Sequence, residues 1–182
     1  MENKYIRYKF NGLTEEVYKW DCISLSPFFK EELRNKTAER EMIDAYLHSA
    51  ECLYVFFRSE NNPDEKIKVF RTNQMCMPFL FLCRHTIELS IKAVLNSKQG
   101  KIKKIHKLKE LWKELKNEVN ISNTDFDMLI EVLNIIDDDG CKLRYSNDGK
   151  GNNYNEKPCF VRADLILKTT KELYEFLLKQ VS

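Results

Sequence analysis

The sequence predicts an all-α protein, a bundle of about five helices, and two observations lead to this class. Hydrophobic residues recur at three- and four-residue spacings in five separate segments, which is the period of an amphipathic helix. Glycine and proline, which interrupt helices, number only 5 and 4 among 182 residues. Hydrophobic residues form 43% of the chain and charged residues 32%, as is typical of a folded globule. No segment alternates strongly enough to predict a strand.

The length suffices for one hydrophobic core and does not require two. Residues 1–36 mix aromatic and charged side chains without a sustained period and contain Gly12 and Pro27, so we expect an irregular N-terminal arm. Residues 37–182 contain all the periodic segments, and we expect them to form the bundle.

The first two helices are separated by a polar connector at residues 61–69. The first helix is predicted from about residue 37 to residue 57 by the spacing of its apolar residues, which are Met42, Tyr46, Ala50, Leu53 and Phe57. The second contains MCMPFLFLCRHTIELSIKAVL, which is hydrophobic nearly all round, so it should lie in the middle of the bundle. Pro78 is expected in its first turn or at a kink. The basic segment KQGKIKK ends this helix at Gly100.

Three further helices follow. The third comes after His106, the fourth after Thr124, and the last runs from about residue 162 to residue 179. Residues 137–161, which precede the last helix, are rich in Gly, Asn and Asp and are longer than a turn between helices requires. Loops of that length in compact domains are usually functional or disordered.

The net charge and the arrangement of the cysteines limit which kinds of ligand-binding site the protein can have. The net charge of +2 is too small for nucleic-acid binding through the overall field, so an RNA site must be local. Six cysteines without a C-x-x-C pair and three histidines do not predict a zinc site, and no metal or other cofactor is expected. Several cysteines lie in apolar helical segments, where a reduced cysteine behaves as a small hydrophobic side chain. We therefore expect the protein to be in a reducing cytoplasm. No apolar run has membrane-spanning length, and the N-terminus lacks the apolar core of a signal peptide.

The second helix has a charged stripe on an otherwise apolar surface, formed by Arg84, His85, Glu88 and Lys92. Their spacings let the Glu88 carboxylate reach both Arg84 and His85, and Lys92 lies four residues further along the same side. Ionisable groups in such surroundings must pair or face a cleft. In a catalytic site His85 would carry a proton, Glu88 would fix its tautomer and Arg84 would hold a phosphate. In the alternative, the stripe is an internal salt-bridge lattice that fixes helix register.

Three more residues are candidates for a site. His106, at the start of the third helix, is either a second acid/base or a capping or packing residue, and the latter is favoured. In the long loop, the guanidinium of Arg144 can bind a phosphate and the ring of Tyr145 can stack on a base. Alternatively, Arg144 pairs with Glu88 or with an aspartate of residues 137–139 and pins the loop to the bundle.

Two clusters of like-charged residues could also contact a ligand. The basic one can contact an RNA backbone or can be a flexible solvated connector, and its lysines are Lys98, Lys101, Lys103, Lys104 and Lys107. The acidic one, residues 137–139, could attract a divalent cation, but solvated charge is the favoured interpretation.

The segments PFLFLCRHTIELSIKAVL, IHKLKELW and DDDGCKLRYSNDGKG, in this order, resemble a prokaryotic branch of the HEPN family. In that branch a helix reading roughly R-H-x-x-E-x-x-x-K is followed by an H-x-L-x-x-L-W helix and an R-Y turn after acidic residues. The resemblance covers about residues 78–150 closely. It implies a helical bundle that commonly pairs with another copy, in a family of RNA-cleaving toxins, antiviral nucleases and non-catalytic nucleotide binders.

One departure from the family pattern bears on activity. Ribonucleases of the family carry an Arg followed after roughly four to six residues by a His, whereas Arg84 and His85 are adjacent. Two functional hypotheses therefore stand. The first is a metal-independent ribonuclease of a toxin or antiphage system. The second is a non-catalytic HEPN binding or assembly module. The expected partners are RNA or a nucleotide, a second copy of the chain, and a nucleotidyltransferase or defence ATPase encoded nearby.

Overall fold

A computed structural model describes residues 36–59, 73–101, 103–154 and 160–181. This part of the chain forms five helices and no regular strand, so the predicted all-α class is confirmed. The helices are α1 Lys36–Ser59, α2 Asn73–Gln99, α3 Leu108–Glu118, α4 Thr124–Ile136 and α5 Ala163–Leu178. The arm predicted for residues 1–36 and the connector at residues 61–69 lie outside the described residues, apart from Lys36 in α1.

The central element is α2, as its apolar surface predicts, because it packs against α1, α3 and α5. Its side chains Ile87, Ile91 and Val94 are completely buried. Pro78 lies inside α2 beyond the first turn, so the first-turn placement is wrong, and a kink there stays a prediction. The position of α2 puts any charged group on it at a junction of several helices.

The other helices close around α2. Helix α4 packs against α3 and α5, and its N-terminus is capped by the Asn123 side chain, which accepts a hydrogen bond of 2.9 Å from the amide of Asp125. The indole N–H of Trp112 on α3 donates to Asp127 on α4 at 2.6 Å. These contacts hold the start of α4 against α3. The opposite ends of the two helices, the start of α3 and the end of α4, contribute to the candidate site.

Described residues between α4 and α5 contain no helix, which agrees with the predicted long loop. Bends and one turn, at residues 142–144, occur within residues 138–151, and an isolated antiparallel bridge joins Asn147 to Asn153. None of the five helices in the described ranges is both long and apolar enough to cross a membrane.

Candidate nucleic-acid site around Arg84 and His106

Arg84 lies at the junction of three helices and is only 1% exposed. Its Nη1 donates to Oε2 of Glu88 on α2 at 2.8 Å. Its Nε donates to the main-chain carbonyl of Asp137, just after α4, at 2.8 Å. Its Nη2 donates to the main-chain carbonyl of His106, just before α3, at 2.6 Å. A buried cation requires such compensation, and Arg84 thereby connects α2 to both neighbouring segments.

Glu88 is also 1% exposed and uses both carboxylate oxygens. Oε2 binds Arg84, while Oε1 accepts from Nζ of Lys92 at 2.8 Å and lies 2.9 Å from Nδ1 of His106. Burial opposes ionisation of Glu88, but the hydrogen bonds from Lys92 and His106 and the charge of Arg84 outweigh it and lower the pKa. Glu88 is therefore an anion that accepts from three different side chains.

The side chain of His106 is 60% exposed although its Nδ1 contacts the buried Glu88. Because the ionised carboxylate can only accept, Nδ1 carries the proton of this bond and Nε2 stays available for another partner. Of the two favoured roles of His106, capping is wrong, because the N-cap residue of α3 is Lys107 and it makes no side-chain capping bond. The packing role stays a prediction. An oriented, accessible imidazole is suited to accepting a proton.

His85 lies half-buried between two aromatic rings. The Tyr46 ring meets it edge-on with centroids 4.7 Å apart, and the Phe81 ring stacks on it at 5.2 Å. Burial lowers the pKa of His85, the charges of Arg84, Lys92 and Arg144 add to this, and the charge of Glu88 opposes it. The bond that we expected from Glu88 to His85 goes to His106 instead, because the end of α3 brings that imidazole over the carboxylate.

Arg144 and Tyr145 remain exposed in the loop after α4. The Nε of Arg144 donates to the carbonyl of Gly140, and its guanidinium carbon lies 5.9 Å from the Phe81 ring centroid and 5.4 Å from that of Tyr145. Since Phe81 also stacks on His85, the guanidinium and that imidazole lie on the same side of the bundle. We considered that Arg144 pins the loop to the bundle. Arg84 makes this connection instead, through its bond to the carbonyl of Asp137.

The acidic cluster at residues 137–139 was expected to be solvated, but one of its three carboxylates is buried. Asp137 is completely buried: its Oδ1 accepts from the amide of Lys142 at 3.1 Å, and its Oδ2 lies 3.7 Å from Nε of Arg84. Asp138 is exposed and pairs with Nζ of Lys142 at 3.0 Å. Asp139 accepts from the amide of Cys141 at 2.9 Å. Oxygens of the three carboxylates lie within 4.8 Å of one another, but Arg84 and Lys142 already supply positive charge there.

The predicted basic cluster is partly neutralised. Lys103 pairs with Glu114 at 2.5 Å, and Lys107 pairs with Glu110 at 3.1 Å. Lys104 is exposed and forms no ion pair within the described ranges. It is therefore the more accessible of the two lysines, Lys103 and Lys104, that the sequence indicated for RNA contact.

Sequence reasoning missed three residues of this region, namely Tyr46, Phe81 and Gly140. The two aromatic residues looked like ordinary core positions of amphipathic helices, and nothing in their spacing distinguishes them. Gly140 has φ +84°, and a Cβ there would lie 3.1 Å from Nη1 of Arg84. A glycine shortly after the end of a helix is a recognised signal for such a conformation.

Comparison with protein families gives one match, in which the model of the HEPN domain covers residues 67–181, more than half of the chain. The chain belongs to the HEPN family. The matched range of this HEPN protein includes α2 to α5 and every residue of the site described above except Tyr46. HEPN proteins are often ribonucleases or related to toxins, and HEPN domains often dimerise. Comparisons with curated proteins and with solved structures give no significant match.

Proposed function

We propose that this HEPN protein binds RNA and cleaves its phosphodiester bonds without a metal ion, with His106 as the general base. The observation that carries the proposal is the buried Glu88 carboxylate holding Nδ1 of the exposed His106 at 2.9 Å. A carboxylate that fixes the tautomer of an imidazole and leaves its other nitrogen accessible is a recurrent arrangement for proton transfer.

The reaction that suits this arrangement uses the ribose 2′-hydroxyl as nucleophile. Nε2 of His106 accepts the hydroxyl proton while the 2′-oxygen forms a bond to phosphorus. The bond from phosphorus to the 5′-oxygen breaks, and the leaving oxygen takes a proton from water. The products are a 2′,3′-cyclic phosphate and a 5′-hydroxyl, and no oxidant or metal is consumed.

The surrounding groups supply the contacts that RNA requires. Arg144 is an exposed guanidinium suited to a phosphate, and the neighbouring Tyr145 ring, 56% exposed, offers a face for an unpaired base. Lys92 and Lys104 add positive charge at the edge of the site. Burial lowers the pKa of His85, and its ring and the Arg144 guanidinium both lie against the Phe81 ring.

A second candidate function is binding of RNA or a nucleotide without cleavage. It is favoured by the burial of Arg84, whose guanidinium is occupied by Glu88 and two main-chain carbonyls and cannot also hold a phosphate. Under this function Arg144 and Tyr145 keep their roles, while the contact of His106 with Glu88 only stabilises the start of α3.

One pair of variants separates the two functions. His106→Ala should abolish cleavage of a fluorescent single-stranded RNA while the dissociation constant changes less than about threefold, because the phosphate and base contacts remain. The matched control is His48→Ala on α1, which also removes an exposed histidine near a glutamate, at 3.6 Å from Glu51. It should leave cleavage unchanged. RNA binding by the wild type without any cleavage would establish the non-catalytic function instead.

The binding half of the proposal is tested separately. Arg144→Ala should weaken RNA binding and reduce the slope of log affinity against log salt by about one, since one phosphate contact is lost. Arg162→Ala is the control, because Arg162 is also exposed but pairs with Asp164 near α5. Equal losses in both variants would mean that Arg144 acts only through general charge.

We further propose that the protein works in a prokaryotic toxin or antiphage system with a nucleotidyltransferase or defence ATPase as partner. The support is the family itself, whose members are often toxin-related. Expression of the wild type should arrest bacterial growth, and His106→Ala should not. Growth arrest that persists in the His106→Ala variant would contradict toxicity through RNA cleavage by His106.

A further inference from the structure

We propose that Arg84 is a positioning residue that sets the location of His106 relative to Arg144 and does not itself touch the ligand. The inference rests on the proposed function, because it concerns how the two groups that would meet RNA are held together. The charged stripe of the sequence suggested that Arg84 would hold a phosphate, whereas its burial and its contacts with Glu88 and two main-chain carbonyls indicate a different role.

The contacts of Arg84 reach both segments that carry ligand-facing groups. Nη2 holds the carbonyl of His106 itself, at 2.6 Å, so the backbone from which the imidazole projects is tied to α2. Nη1 holds Oε2 of Glu88, and the other oxygen of that carboxylate contacts the same imidazole. Two separate bonds of one guanidinium therefore determine where His106 lies and which way it faces.

On its other side Arg84 determines where the loop begins. Its Nε holds the carbonyl of Asp137 at 2.8 Å. From there the chain turns at Gly140, whose carbonyl accepts from the Nε of Arg144. The Arg144 guanidinium is thus connected to Arg84 through one short turn of backbone.

Gly140 is the point where this turn meets Arg84. A Cβ at Gly140 would lie 3.1 Å from Nη1 and 3.5 Å from Cζ of Arg84, and 3.6 Å from Nη2 of Arg144. Nη1 cannot retreat without loosening its bond to Glu88. A side chain at Gly140 would therefore push Arg84 and the loop apart, and it would disturb His106 and Arg144 together.

The test compares Gly140→Ala with Gly149→Ala. Both glycines have positive φ, +84° and +74°, so both substitutions impose similar backbone strain. Only the first adds a contact, because a Cβ at Gly149 has nothing within 4 Å. The glycine variants are preferable to Arg84→Lys, because loss of the Arg84 guanidinium leaves buried carbonyls without donors and can prevent folding.

We expect Gly140→Ala to raise KM for a single-stranded RNA and lower kcat, each by about tenfold, while Gly149→Ala changes neither. The ¹⁵N resonances of the His106 imidazole and the Arg144 guanidinium, recorded on the full chain without RNA, should both shift in Gly140→Ala alone. Both variants are compared at equal fractions folded, from their melting curves.

The two proposals fail in different ways. Wild-type protein that neither binds nor cleaves RNA would refute the proposed function, and the resonances would still decide the role of Arg84. If Gly140→Ala leaves the His106 and Arg144 signals in place, or shifts them no more than Gly149→Ala does, Arg84 does not position these groups. A shift of the Arg144 signal alone would also overturn the proposal, because it requires that both groups move.

Discussion

At the scale of single residues, Glu88 is the group on which the candidate site depends. Its carboxylate is buried, and its hydrogen-bonding partners are Arg84, Lys92 and His106. Two of these partners stabilise the anion from the same helix, and the third is the accessible imidazole. The same carboxylate therefore serves both stability and the proposed chemistry.

Replacing Glu88 with Gln should lower the free energy of unfolding by about 3 kcal/mol, since it leaves the buried Arg84 without its anion. Urea titration measures this change. Glu131→Gln is the matched control, because Glu131 pairs with Lys109 at 2.8 Å but both side chains are more than half exposed. That variant should change stability by less than about 0.5 kcal/mol. Equal effects would show that the burial of Glu88 is energetically unimportant.

His85 should make stability depend on pH. Its pKa in the folded protein lies below the ordinary value of 6.5, so the unfolded chain binds more protons near and below that pH. Its contribution to stability is fully present above 6.5 and is lost as the pH falls toward the folded pKa.

We therefore expect the free energy of unfolding of the wild type to fall between about pH 7 and pH 5 by more than that of His85→Phe, which keeps an aromatic ring beside Tyr46 and Phe81. Staying above pH 5 keeps Glu88 outside the window, because its pKa is lowered from 4.5. Parallel pH curves for the two proteins would contradict the expectation.

At the scale of elements, the bundle depends on α2, whose interfaces with α1, α5 and α3 are the three most extensive between helices of the described residues. Its apolar surface continues around the helix, and Arg84 and Glu88 are buried within the same surface. The ends of α3 and α4 meet α2 at these charges, so the packing of three helices and the geometry of the site are determined together.

A pair of isoleucines tests this view of the packing. Ile91 on α2 is fully buried, whereas Ile135 on α4 is 66% exposed. Ile91→Ala should lower the free energy of unfolding by about 2–5 kcal/mol, because it removes buried surface and leaves a cavity. Ile135→Ala should cost less than about 0.5 kcal/mol. Chemical denaturation of both variants measures the difference, and a large loss for Ile135→Ala would indicate that another surface covers α4.

At the scale of the whole molecule, we expect the protein to form a symmetric dimer. HEPN domains often dimerise, and a twofold pair is the commonest closed assembly. Light scattering coupled to gel filtration at about 50 µM, a concentration that favours association, should give twice the chain mass of 21.7 kDa. A mass of one chain under these conditions would contradict the prediction.

Local patterns of the sequence were sufficient for the helices and for one part of the site. The hydrophobic spacings predict all five helices, because a helical period is a property of neighbouring residues. The ion pair of Glu88 with Arg84, and the position of Lys92 on the same side of the helix, were predicted in the same way, since residues four apart lie side by side on a helix.

Tertiary structure decided the rest. The contact of His106 with Glu88, the burial of Asp137 beneath Arg84 and the approach of Arg144 to Phe81 all join residues far apart in the chain. Such contacts depend on where helices end and on how those ends pack, and no local period encodes either. The amino-acid sequence by itself therefore determined an all-α HEPN bundle with a charged stripe on its central helix. Only the packing of α3 against α2 decided that His106, rather than His85, lies on the buried carboxylate.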